Sequence, residues 1–106
     1  MRKYKILRTD TADIGLRKII LSIAENFGAE TALEKLDLIE KQISMLECNP
    51  LLGAVPRYMV LKRQGYRVLI LEKDLVFYKI NEAEQAVIIY AIVDQRQDYI
   101  AILQGL

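Results

Sequence analysis

Hydrophobic and polar positions alternate over Tyr4 to Arg8, with Tyr4 and Ile6 set against Lys5 and Leu7, a period that predicts one β-strand. Asp10 or Thr11 then offers a helix cap, and Leu16, Ile19, Ile20, Ile23 and Phe27 follow at helical spacing with Lys and Glu on the other face. Gly28 suits the left-handed position that closes such a helix. A second apolar stripe, Ala32, Leu36, Ile39, Ile43 and Leu46, predicts another helix. It starts at a capping box of Thr31 with Glu34, or a turn earlier at Ala29, and Asn49-Pro50 stops it. Two amphipathic helices joined by about three residues form an antiparallel hairpin whose stripes face one sheet.

Residues 50–65 hold both prolines, Gly53 and Gly65 and show no period, so they read as a long irregular connection of the kind that is more often functional than inert. Strands are predicted at 66–72, 75–81 and 86–93, separated by a tight turn near Lys73-Asp74 and by a polar loop from Asn81 to Gln85. Short connections make these three antiparallel neighbours, and Ala86 to Val93, apolar on both faces, reads as a central strand. A polar RQDY element and a short apolar tail predict a last helix. The expected fold is α+β: a four-stranded antiparallel twisted sheet with the N-terminal helical hairpin on one face, in the order β-α-α-β-β-β. The opposite face is expected to stay free.

With 106 residues the chain has room for one core, so 1–106 is read as a single domain. Its 53% hydrophobic content excludes disorder. The charged start lacks the apolar region of a signal peptide, and the longest apolar run, Ala86 to Val93, is too short to cross a membrane, which predicts a cytoplasmic protein. The lone Cys48 allows no internal disulfide and is expected to be a small buried hydrophobe. The absence of histidine removes Ser/His and Cys/His nucleophile pairs and ordinary zinc sites, and nothing in the sequence calls for a cofactor. A net charge of +1 supplies no global field toward nucleic acid, so any such binding must come from a local patch.

The strand segments YRVLI, LVFYKI and AVIIYAIV, followed by RQDY, resemble the RelE/ParE superfamily of type II toxin-antitoxin toxins over roughly residues 4–103. The likeness is carried by Arg67 opening a strand, Leu75 to Tyr78, Ile89 to Val93, and Arg96 ahead of Asp98. In the ribonuclease branch, the resemblance implies cleavage of messenger RNA on the ribosome by sheet lysines and arginines and a tyrosine near the C-terminus. Here the matching sheet positions are the apolar Val68, Ile70 and Leu75, and only Arg96 and, loosely, Tyr99 match. A register that uses Tyr66-Arg67 instead places Met59 and Leu61 where lysines belong. The chain therefore looks closer to the ParE branch, for which inhibition of DNA gyrase is implied.

Cleavage by a 2′-hydroxyl needs a base, a cation on the phosphate and a proton donor. Arg67, Arg96 and Tyr99 are the candidate catalytic set, with Asp94 or Asp98 as the acid, but arginine stays protonated and makes a poor base. Arg57, Lys62, Arg63, Arg67 and Arg96 are candidates for contacting nucleic acid or another target. Each has a plain alternative, a solvated loop cation or an Arg paired with a nearby acid, and Tyr78, Tyr90 and Tyr99 have the plain role of core aromatics. The expected function is a growth-arresting toxin of a plasmid-stabilisation module that binds its target. A ribosome-dependent endoribonuclease with a reduced catalytic set is the alternative, and a non-toxic binding module on the same fold is a third, which the near-neutral charge favours. The expected partners are a cognate antitoxin laid across the open sheet face or the hairpin, DNA gyrase or ribosome-bound mRNA as target, and no membrane. A Tyr and Phe patch is a route to a homodimer.

Overall fold

The computed structural model describes residues 3–106; Met1 and Arg2 of the charged start lie outside them. Strand β1 (Lys5–Arg8) leads into helix α1 (Asp10–Phe27), and the cap is Thr9 rather than Asp10 or Thr11. The Thr9 hydroxyl accepts a hydrogen bond from the Ala12 amide at 3.1 Å, donates one to the Tyr90 carbonyl at 3.1 Å, and the Thr9 amide donates to the Ile89 carbonyl at 3.0 Å. Tertiary bonds to a distant strand thus favour Thr9 over the two expected caps. Gly28, at φ +94, is the whole linker to α2 (Ala29–Ser44). The second helix starts at the earlier of its two expected sites, which puts Thr31 inside the first turn.

The remaining strands are β2 (Arg67–Ile70), β3 (Asp74–Asn81) and β4 (Ala86–Asp94), in the spatial order β1-β4-β3-β2. β4 is central, as its two apolar faces require. The fold is the expected α+β arrangement, but the sheet is mixed, because β1 pairs parallel to β4 with Lys5 opposite Ala86 and Arg8 opposite Ile89. The path of the hairpin explains this. The Tyr4 amide donates to the Glu47 carbonyl at 2.9 Å, so the end of α2 returns to the start of β1. After the connection, β2 begins level with Arg8, where β1 ends, and runs in the same sense. Two reversals later, β4 runs in that sense again.

The hairpin face is an aliphatic core in which Ala12, Leu16, Ile39, Ile43 and Leu46 pack on Leu69, Val76, Tyr78, Val87, Ile89 and Ile92. The approach is close: a Cβ on Gly15 would lie 2.2 Å from the Ile92 carbonyl oxygen, so only glycine lets α1 sit this low on β4. The opposite face is not free. Leu61, Tyr66, Val68, Leu75, Phe77, Ala91, Val93 and Leu103 form a second core there, under α3 (Met59–Arg63) and α4 (Tyr99–Gln104). The connection expected to be irregular supplies α3 and a 3₁₀ turn at Pro50–Leu52, while another 3₁₀ turn, Met45–Glu47, takes the last part of the stretch expected to be the second helix. Strands apolar on both faces need cover on both, and these short pieces provide it.

A register shift between Phe77 and Tyr78 leaves Tyr90 as an extra residue in β4: Phe77 pairs with Ala91, while Tyr78 pairs with Ile89. Before this bulge odd-numbered residues such as Val87 and Ile89 face the hairpin; after it, Ile92 does, and Ala91 and Val93 face the second core. A bulge changes which side chains point to which face. Cys48 is exposed, not buried, because it follows the 3₁₀ turn that ends α2 and falls outside the helical stripe.

Candidate functional site

The second face of the sheet gathers five aromatic rings and two cations. Phe77 projects from β3 between Tyr66, whose ring lies edge-on at 6.5 Å, and Tyr99 of α4, stacked at 5.1 Å. Tyr66 meets Tyr90 edge-on at 5.6 Å, and Tyr58 meets Tyr99 at 5.9 Å. The ammonium of Lys79 lies 4.5 Å from the Tyr66 ring centre and 5.1 Å from that of Tyr90, a cation held over two π faces. Burial, and then the Tyr58 hydroxyl, push the Tyr99 phenol above its ordinary 10.0, against the opposing pull of Arg57. Burial followed by the neighbouring Tyr90 raises Tyr66 in the same sense. Both phenols therefore stay neutral at physiological pH, with no phenolate to serve as a base.

Arg96 is elsewhere. It follows the end of β4 and pairs with Asp94, Nε to Oδ1 at 2.9 Å and Nη2 to Oδ2 at 3.1 Å. This hydrogen-bonded contact pulls the Asp94 carboxyl below its usual value. The pair borders a cleft of about 850 Å³ between the far end of the hairpin, including Lys18, Ile23, Phe27 and Lys35, and the turns at Lys73 and Gln97. In the cleft, the buried Asp74 carboxylate lies 3.2 Å from the Lys35 ammonium, yet its Oδ2 makes no hydrogen bond of good geometry, so the contact is one of charge alone.

Arg67 is committed to a third place. Its Nη2 donates to the Gly53 carbonyl at 2.6 Å and to the Leu51 carbonyl at 3.1 Å. Beside it, the buried Tyr78 hydroxyl donates to the Pro50 carbonyl at 2.7 Å and accepts from the Gly53 amide at 2.9 Å. Both side chains pin the connection to β2 and β3. Arg67, Arg96 and Tyr99 are thus not brought together. Arg67 lies opposite Tyr78 on β2, Arg96 beyond the Asp74–Asp94 pair, and Tyr99 over Phe77 on the second face.

Arg57 stands beside Tyr99, and Lys62 and Arg63 end α3 on the same side of the molecule, all three exposed. The sequence pattern pointed to neither Lys79 nor Tyr58, and to Tyr66 only as the neighbour of Arg67 in the alternative register. The signal was present for Lys79: it lies two positions from Phe77 and four from Leu75 along β3, so period-2 geometry places it on their face.

Residues 6–99 match the family model described as the ParE toxin of the type II toxin-antitoxin system, parDE. The chain belongs to the ParE toxin family. Its fold is shared with a chain of the chromosomal ParDE toxin-antitoxin system from P. aeruginosa, with a TM-score of 0.72 and 21% identity over 87% of this chain and 96% of that one. A chain of the RelBE2 toxin-antitoxin complex from Mycobacterium tuberculosis aligns with a TM-score of 0.63 and 18% identity, over 92% of this chain and 97% of that one. Among curated proteins none matches the sequence. Among the described residues, no helix of this ParE-family protein is long and apolar enough to cross a membrane.

Proposed function

We propose that this ParE-family chain arrests growth by binding a macromolecular target of the gyrase type, and that a cognate antitoxin holds it in check. The observation that carries the reading is the dispersal of Arg67, Arg96 and Tyr99. One is spent on loop carbonyls, one is paired with Asp94 beside the hairpin, and one is stacked in the second core. A hydrolytic site needs base, cation and acid within reach of one phosphate. A binding surface needs no such convergence. The two structural relatives come from ParDE and RelBE2 systems, which supports an antitoxin partner here. Expression without antitoxin is expected to stop growth and to leave plasmid DNA relaxed in a gyrase supercoiling assay. Normal supercoiling at saturating protein would remove the gyrase assignment.

One observation favours the ribonuclease alternative: Lys79 brings a sheet lysine to the same aromatic face as Tyr99. That reading predicts new 5′ ends on translated messages by primer extension, lost in Lys79→Ala and Tyr99→Phe. Ends that persist in both variants would exclude it.

A further inference from the structure

From Cys48 to Leu71 the chain carries Arg57, Lys62, Arg63 and Arg67 and no acidic residue. Arg67 is turned inward onto loop carbonyls, which leaves the other three cations exposed on one short stretch. The same stretch exposes large apolar groups: Val55 at 53%, Tyr58 at 47%, Met59 at 57% and Val60 at 38%. Pro56 and Leu61 are buried between them and fix the segment to the body of the protein. We infer that residues 55–63, edged by Tyr99, form a docking surface for an acidic polypeptide segment bearing aliphatic anchors.

Charge complementarity selects the occupant. Three unpaired cations with no acid among them repel a basic partner, give a neutral one no steering and attract an acidic one, while Tyr, Met and Arg are the residues enriched at the centres of protein interfaces. Nucleic acid fits less well. A single strand is held on free aromatic faces, but here Tyr58 and Tyr99 pack on each other and Phe77 stacks beneath Tyr99. Exposed Val55, Met59 and Val60 add apolar area that a phosphate backbone does not use. The inference rests on the reading of this protein as a binder and names the chemistry of what it binds at this surface.

Fluorescence anisotropy tests it with a synthetic labelled peptide of alternating Glu and Leu pairs, against labelled single-stranded oligo(dT). The peptide is expected to bind more tightly than the oligonucleotide. The triple variant Arg57→Glu, Lys62→Glu, Arg63→Glu should weaken it about tenfold or more at low salt, and Met59→Ala severalfold. Lys41→Glu on the hairpin should leave binding unchanged, and amide shifts on titration should fall on residues 55–63. Tighter binding of oligo(dT), a triple variant that binds the peptide as well as the parent, or a Met59→Ala variant without effect would each overturn the inference. Growth arrest is scored separately. Arrest without peptide binding sinks this inference alone, and peptide binding without arrest sinks the toxin reading alone.

Discussion

On one face of the sheet two long helices clamp an aliphatic core around Ile39, Val76, Val87 and Ile89, whereas on the other two short helices rest on a core that mixes aliphatic side chains with the rings of Tyr66, Phe77 and Tyr99. The hairpin helices span Asp10–Phe27 and Ala29–Ser44; α3 and α4 have five and six residues, below the length at which a helix holds its own shape in water. Stability of the second face must come from ring packing and from anchors such as Leu61 and Leu103. The exposed Tyr58, Met59 and Arg57 lie on this more weakly held layer. On the proposed reading, foldedness belongs to one side and contact with other molecules to the other, and substitutions on each side should separate the two.

The largest effect is expected at the closest contact of the hairpin face. Gly15→Val drives a branched side chain into the Ile92 carbonyl and should lift α1 off β4, with a loss of about 3 kcal/mol or more in urea unfolding. Lys35→Met comes next. It leaves the Asp74 carboxylate, 2% exposed, without its countercharge, at a cost of about 2–3 kcal/mol, and adding Asp74→Leu should restore most of it. If Lys35→Met unfolds like the parent, the charge contact does not stabilise the cleft.

A smaller effect is expected across the sheet. Tyr99→Ala removes the stack on Phe77 and the edge contact with Tyr58 for about 1 kcal/mol of global stability. Its signature should be local: faster amide exchange over α3 and α4 with the hairpin unchanged. Exchange that rises equally in α1 would make the two faces one cooperative unit and end the contrast.

The smallest effect is the titration of Asp94. Its carboxyl is held below its ordinary 3.8, first by the side-chain hydrogen bond from Arg96. A depressed carboxyl contributes stability that is present above its unfolded value, near pH 4, and that fades as the pH falls through the lower folded value. Arg96 is 90% exposed, so solvent screening keeps the contribution slight. An NMR titration that finds an unshifted Asp94, or one unaffected by Arg96→Ala, would contradict the pairing.

Periodicity along the chain was enough to place both long helices, the three consecutive strands and the central position of Ala86 to Val93. These follow from local spacing, which a single segment carries by itself. Three matters depended on contacts between distant segments. The direction of β1 is set by where the end of α2 meets Tyr4. The cover of the second face comes from residues 59–63, too short for a helical period to show, and from the expected last helix at 99–104, whose place over the sheet depends on its distant partners. The fate of the candidate site depended on partners far away in the chain: Arg67 met the Gly53 carbonyl, Tyr99 met Phe77, and Lys79 met Tyr66 and Tyr90. Spacing reports which side of its own strand or helix a residue occupies, while the partner of a polar group is fixed only when the layers close.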